Sequence, residues 1–306
     1  MPALKSATNN PQGQLGYDWS VALPEPEAFR RAYARDGYAV IRGLFSAAEV
    51  AEIAAAFDRI QTAGLALGRS FRHGNLLFRL GDDPQLGRVL RMVQWPCWRD
   101  ALLDRVRLDL RFAAVLRPLI GDDLKQIINQ MHWKPPGAAK VEFAYHQDSR
   151  FRRPASAFRD LANSYVQTGL AIDAHTRASG AMRVIPGSHL MGDLGLGADG
   201  PILDQAMQDD TLRAVGLDPA AAVDLELAPG DLALWSPYLV HGSGVNVTAA
   251  DRRLYINGYV RSVDCDRGEV AFAHGRPQPL GPQPALVHYE ALHERPEPHF
   301  VDGPGN

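Results

Sequence analysis

Apolar residues fall first into helical spacing and then, after Gly121, into short alternating runs. The segment Tyr38-Ala39-Val40-Ile41 is β-branched and apolar and lies between Gly37 and Gly43, which predicts a short buried strand. Ser46-Ala47-Ala48-Glu49 is a capping box: the serine hydroxyl can accept from the third backbone N–H while the glutamate reaches back. A helix is predicted to follow, with Val50, Ile53, Ala54, Phe57 and Ile60 on one face. Residues 68–80 predict an irregular or short-strand region, and a second amphipathic helix is predicted over about 98–119. β-like runs then occupy 126–133, 141–146, 165–172, 181–185, 223–227, 231–235, 238–241 and 253–261. Short strands after a helical N-terminal third predict a mainly β fold, an antiparallel barrel or sandwich with helices packed on one side. Residues 189–222 interrupt the series with an acidic, Gly-rich stretch that turns helical near 203–215, expected to act as a lid or substrate loop. The organisation expected is a flexible arm at 1–24 and one domain at 25–306. That domain divides into a helical part over about 25–121, a barrel over about 122–265 and an irregular Pro-rich tail over about 270–306.

Composition narrows the class. Of 306 residues, 46% are hydrophobic and 22% charged, enough for a sizeable core. A net charge of −3 offers no concentrated basic face, so no nucleic-acid partner is expected. Two cysteines, Cys97 and Cys265, read as free thiols in a reducing compartment. No apolar run reaches the ~18 residues of a membrane span, and the first residues lack a signal-peptide core. A cytoplasmic protein with no membrane association is expected, as a monomer or homodimer.

The chemistry concentrates at His146-Gln147-Asp148, which ends the run Val141-Glu142-Phe143-Ala144-Tyr145. Residues two apart on a strand share a face, so an imidazole and a carboxylate project side by side. His241 ends a second strand-like run that begins at Leu232. If the two strands are neighbours, two histidines and one carboxylate occupy one face of an octahedral metal, the arrangement of non-haem Fe(II) oxygenases. A donor set without thiolate suits Fe(II) better than a structural zinc site. The tight turn Pro229-Gly230-Asp231 enters the strand that leads to His241. Arg252, eleven residues after His241, can make a bidentate pair with a carboxylate. The far carboxylate of 2-oxoglutarate requires such a partner.

These segments together are similar to the phytanoyl-CoA dioxygenase family. The resemblance runs from Asp36-Gly37-Tyr38-Ala39-Val40-Ile41-Arg42-Gly43-Leu44-Phe45 through Lys134-Pro135-Pro136-Gly137 and His146-Gln147-Asp148. It continues over Ser179-Gly180 to Pro186-Gly187-Ser188-His189 and ends at His241, Ser243 and Arg252. The ectoine hydroxylases are relatives of the same layout. The resemblance implies a double-stranded β-helix, or jelly-roll, core with N-terminal helices. It implies His146, Asp148 and His241 as Fe(II) ligands, with 2-oxoglutarate and O2 as co-substrates. Arg252 and Ser243 would hold 2-oxoglutarate, Lys134 would lie near it, and Gln130 and Met131 on the same strand would line the pocket. Asp148 also points to hydroxylation, because related halogenases carry a small residue there. One departure from the family is visible: some relatives place an aromatic residue near the co-substrate where this chain reads Gln167-Thr168-Gly169-Leu170. That implies a smaller wall.

The expected reaction is hydroxylation of an unactivated C–H bond of a small molecule, with release of succinate and CO2. Desaturation, cyclisation and epimerisation are the alternatives on the same cofactors, and a non-catalytic barrel-fold binding protein is the rival outside enzymology. Arg150, Phe151, Trp133, Arg72 and His73 are the candidate substrate contacts. Arg150, Arg152, Arg153, Arg69 and Arg72 either recognise a carboxylate-bearing substrate or are solvated surface charges. His175, His189 and the tail histidines read as structural or surface residues.

Overall fold

The computed structural model describes residues 23–138, 141–197, 202–203, 205–287 and 295–301. Nearly all of the arm expected at 1–24 lies outside these residues, as do His288 and His293 of the tail.

Helix α1 (Pro26–Asp36) is capped by Glu25, whose carboxylate accepts from the N–H groups of Glu27 and Ala28. It ends at Gly37 in the left-handed conformation (φ 78°), which a glycine adopts without strain. Strand β1 (Tyr38–Ile41) leads to α2 (Ala47–Ala66), where both halves of the Ser46–Glu49 capping box are formed. The strands β2 (Phe71–His73), β3 (Leu76–Asp83) and β4 (Gly87–Gln94) then form a meander where only irregular or short-strand structure was predicted. The single helix predicted near 98–119 is two, α3 (Ala101–Arg107) and α4 (Leu110–Ile120). The break falls at Asp109, whose carboxylate caps the second helix by accepting from the Arg111 N–H.

The remaining elements are β5 (Leu124–Lys134), β6 (Phe143–His146), the one-turn α5 (Leu161–Ser164), β7 (Tyr165–Ala171), β8 (Met182–Val184), α6 (Asp209–Ala214), β9 (Val223–Asp224), β10 (Leu232–Trp235), β11 (His241–Ser243), β12 (Arg252–Arg261), β13 (Glu269–Ala273), β14 (Arg276–Pro277) and β15 (His299–Phe300). Two antiparallel sheets result. The larger has the order β1-β10-β7-β12-β5-β4-β3-β2-β15, with β13 also on β5, and the smaller the order β6-β11-β8-β9. This is the mainly β architecture with flanking helices that the pattern predicted. The described part of the tail contributes strands: β13 pairs with β5, and β15 extends the edge beyond β2, where Phe300 packs edge-on against Phe71. Among the described residues, no helix is long and apolar enough to cross a membrane.

The main core lies between the helices and one face of the large sheet. Phe57 of α2 is fully buried there, with ring centroids 5.1 Å from Trp133 and 6.2 Å from Tyr255. Burying one such ring stabilises the fold by about 1.5–3 kcal/mol. The Pro229-Gly230-Asp231 turn anchors the layers at the entry to β10. Asp231 is buried, accepts from the Gly43 and Ala228 N–H groups and pairs with Arg42 at 2.7 Å. Gly230 has φ 91°, and a Cβ there would run into the carbonyl oxygen of Phe45. The insertion at 189–222 packs through Leu196 and Leu212 against Tyr145, Ile185 and Val240, on the face of the small sheet that alternates with His146 and His241. It buttresses that sheet from behind, and its Gly197 end lies close to His146 and Arg150.

Candidate active site

The opposite faces of the two sheets enclose the site. His146 and His241 sit directly across from one another in the antiparallel β6–β11 pair, with ring centroids 4.2 Å apart. The Nδ1 atoms of both rings bond backbone carbonyls, His146 to Ala144 at 2.7 Å and His241 to Leu239 at 2.9 Å. With Nδ1–H donating, the Nε2 lone pairs are left for a metal. Asp148 opens the 3-10 turn after β6, its oxygens 3.8 Å from His146 Nε2 and 3.9 Å from His241 Nε2. Among the described residues these three form the one group suited to a metal, with all ligand atoms within 4.8 Å and every residue buried.

Electrostatics favour the ligand-competent forms. Burial and the neighbouring His241 push the His146 pKa down to about 3, so its imidazole is neutral. Burial works against the Asp148 charge, but His241, Arg152, His146 and the Trp235 hydrogen bond outweigh it and the pKa is lowered. Two imidazoles and an ionised carboxylate with no thiolate fit Fe(II) by donor type.

Beside the triad, Arg252 and Lys134 face each other at the first pair of the β12–β5 ladder, and both are buried. Lys134 Nζ donates to Ser243 Oγ at 2.7 Å and to the Gly244 carbonyl. Arg252 Nη2 donates to the Gly180 carbonyl at 3.0 Å, and its buried Nε has no hydrogen-bond partner among the described residues. Burial and then Arg252 lower the Lys134 pKa well below its ordinary value, while burial pulls Arg252 down to about 10. Asp173, whose charge also reaches Arg252, is already bidentate to Arg253 at 2.9 Å. Two desolvated basic side chains that no carboxylate bonds among the described residues make a receptor for an anion. A dicarboxylate such as 2-oxoglutarate fits this chemistry.

Strand alternation sorts the remaining candidates. Lys134, His132 and Gln130 share the face of β5 that looks toward the triad, and His132 Nε2 lies 3.1 Å from Gln130 Oε1. Met131 and Trp133 occupy the other face and belong to the core beneath the helices, so neither borders the site. His132 is the residue that the sequence reading passed over; its alternation with Trp133 was the available signal. The register extends the site face outward in two rows, Arg79–Met92–His132 and Arg72–Leu77–Gln94–Gln130. Arg72 thus joins the site face, while His73 pairs with Leu76 of the helical core. Phe151 packs edge-on to His146 at 6.3 Å, and the Arg150 guanidinium lies over the Phe151 ring at 4.9 Å.

His175 is buried and His132 half-buried, both near Arg252 and Lys134. Burial and these cations push His132 down to about 3 and His175 well below its ordinary 6.5. The unfolded chain therefore binds protons that the folded metal-free protein refuses below pH 6.5, at His132 down to about pH 3. Stability is full above 6.5 and falls with pH through that window, by roughly 1.4 kcal/mol per pH unit for each histidine. Urea melts of the metal-free protein at pH 7 and pH 5 are expected to show this loss; equal stability at the two would contradict the buried neutral histidines.

Comparison with known proteins places these features. The family model described as "Phytanoyl-CoA dioxygenase (PhyH)" matches residues 33–254. A curated relative, the probable alpha-ketoglutarate-dependent hypophosphite dioxygenase of Stutzerimonas stutzeri, is 26% identical over 240 residues, 75% of this chain and 77% of its own length. The solved EctD from Sphingopyxis alaskensis with 2-oxoglutarate and 5-hydroxyectoine is similar at TM-score 0.61 and 22% identity, covering 87% of this chain and 92% of its own. The non-heme alpha ketoglutarate dependent epimerase SnoN from nogalamycin biosynthesis is similar at TM-score 0.57 and 23% identity, covering 85% and 98%.

Proposed function

Because the chain belongs to the phytanoyl-CoA dioxygenase family, an enzyme class dependent on Fe(II) and 2-oxoglutarate, we propose that it hydroxylates a small anionic molecule. His146, Asp148 and His241 hold Fe(II) in this reading, and Arg252, Lys134 and Ser243 hold 2-oxoglutarate. The observation that carries it is the pairing of a two-histidine and carboxylate triad, ligand atoms within 4.8 Å, with two buried basic side chains that no carboxylate bonds among the described residues. When bound, Fe(II) and 2-oxoglutarate supply the oxidant that attacks a substrate C–H bond, with O2 consumed and succinate and CO2 released.

The chain's own residues do the rest. The β6–β11 register fixes the two imidazoles opposite each other, and the two backbone carbonyls fix their tautomers. Arg252 orients the co-substrate by its far carboxylate. Lys134 and Ser243 form a hydrogen-bonded pair that an arriving carboxylate can join. Burial of the whole group, with no member more than 8% exposed, excludes water from the chemistry.

The anionic substrate class rests on the outer site face. Arg79 and Arg72 stand in the two rows beyond His132 and Gln130, Arg150 lies at the Phe151 side, and the charges of Arg79 and Arg150 reach His132 and His146. The similarity to a hypophosphite dioxygenase, whose name denotes a small anion, supports the same class. The similarity to the epimerase SnoN keeps the product type open between hydroxylation and epimerisation.

Succinate release is the assay, over a panel of small carboxylates, phosphonates and phosphinates beside their esters and amides. Anionic members are expected to stimulate turnover and the neutralised ones not. Arg79→Met is expected to raise KM for the best substrate at least about tenfold with little change in kcat, the mark of lost ground-state binding. Equal stimulation by neutral and anionic members would contradict the substrate class.

A further inference from the structure

Trp235 ends β10, six residues before His241, and the described side chains place it against two of the three triad members. Its indole Nε1–H donates to Asp148 Oδ2 at 2.9 Å, and its ring meets the His241 imidazole edge-on at 5.9 Å and 61°. It is 2% exposed and Asp148 8%, so the hydrogen bond is out of reach of water. A charge-assisted bond in such surroundings is about twice as strong as a neutral one.

The backbone ties the same two segments together. The Ser149 N–H donates to the Pro237 carbonyl at 2.8 Å, and Gln147 Nε2 donates to the Tyr238 carbonyl at 2.7 Å. These bonds set where the turn carrying Asp148 sits, and they leave rotation of its carboxylate to the side chains. The Trp235 indole donates to that carboxylate. Arg152, buried nearby with its guanidinium bonded to Gln167 Oε1 at 3.1 Å, adds positive charge that also favours the ionised carboxylate.

The room for the indole comes from Gly169 on the neighbouring strand. Ala233 and Gly169 are register partners, and so are Trp235 and Gln167, so the indole reaches back across β7. A Cβ on Gly169 would lie 3.1 Å from Trp235 Cζ3 and 3.2 Å from Cη2. That is tighter than an ordinary contact, so the ring occupies the space that any larger residue would need. The chain has a small residue on β7, and the aromatic wall of the site arrives instead from β10.

We propose that Trp235 is a positioning residue for the metal: by engaging Oδ2 of Asp148 it presents Oδ1 alone, so that the carboxylate ligates through one oxygen, and Gly169 is the clearance that permits it. A carboxylate free to turn could offer both oxygens and occupy one further coordination position. The inference rests on the metal reading of His146, Asp148 and His241.

The test needs no substrate. Mn(II) affinity is measured from the electron paramagnetic resonance signal of the free ion, and Co(II) loading from its visible ligand-field bands, for wild type, Trp235→Phe, Gly169→Ala and Trp133→Phe. Trp133→Phe makes the same chemical change in the helical core and serves as the control. Trp235→Phe is expected to weaken Mn(II) binding about 10- to 100-fold, the usual cost of losing a residue that supports a ligand. Its Co(II) bands are expected to change intensity, which reports coordination number, while Trp133→Phe matches wild type in both. Gly169→Ala, which displaces the indole without deleting it, is expected to weaken Mn(II) binding at least about threefold, a fraction of that cost, and it decides the matter if Trp235→Phe does not fold. A folded Trp235→Phe, or Gly169→Ala in its place, with wild-type Mn(II) affinity and Co(II) bands would overturn the proposal and leave the metal assignment standing. A wild-type protein that binds neither ion would overturn both.

Discussion

Asp148→Ala is expected to eliminate measurable 2-oxoglutarate turnover, a loss of more than about a hundredfold, the upper end of what removing a mere supporting residue of a ligand costs. The substitution takes away the anionic member of the triad and leaves two imidazoles, which hold a divalent cation far less well. It also strands the Trp235 indole N–H, 2% exposed, which donates to Asp148 at 2.9 Å. An orphaned buried donor costs about 1–3 kcal/mol, so a lower melting temperature is expected without loss of the fold. Metal binding by calorimetry and succinate release read the first effect, and a thermal melt reads the second. Retained metal affinity in Asp148→Ala would contradict the assignment of the triad.

The second large effect belongs to Arg252. Arg252→Met keeps much of the side-chain volume and removes the charge that faces Lys134 across the β12–β5 ladder. Losing one partner of a desolvated charge pair costs about 2–5 kcal/mol, and each 1.4 kcal/mol is tenfold, so the KM for 2-oxoglutarate is expected to rise roughly thirtyfold to a few thousandfold. The stability of the ligand-free protein is expected to move the other way or not at all. Arg252 is 4% exposed, burial holds its pKa down to about 10, and a buried cation without its own carboxylate burdens the fold. Wild type should gain melting temperature on addition of 2-oxoglutarate and Arg252→Met should not, because ligand stabilisation follows affinity. A variant that binds 2-oxoglutarate as wild type does would remove Arg252 from the co-substrate site.

Much of this site was legible in the sequence, for physical reasons. His146 and Asp148 stand two apart at a strand end, and His241 follows a turn-and-strand unit whose Pro-Gly-Asp signal is formed as read, with Asp231 bonded to Gly43 and Ala228. What spacing could not supply was the pairing of those strands; the structure sets His146 directly opposite His241. Alternation along β5 was equally plain, but which face looked inward was not. Both faces are covered, one by the helices through Phe57 and one by the site, so the apolar row Met131–Trp133 reads as pocket wall as readily as the polar row Gln130–His132–Lys134. Met131 and Trp133, expected at the pocket, lie in the core beneath the helices instead. The Trp235–Asp148 bond depends on three separate stretches of chain and on the space at Gly169, none of which leaves a local pattern. Two-residue strands such as β15 are too short for any periodicity to register. The insertion at 189–222 read as a lid because of its length and polarity, while the apolar Leu196 and Leu212 that seat it behind the small sheet are too sparse to announce a face.

The most direct test of the cofactor assignment is an anaerobic titration of the metal-free protein with Fe(II) and then 2-oxoglutarate, followed by visible absorption. A weak charge-transfer band that needs both additions, vanishes in His146→Ala and weakens in Arg252→Met is the predicted result. A folded, iron-loaded protein that shows no band with 2-oxoglutarate present would contradict it.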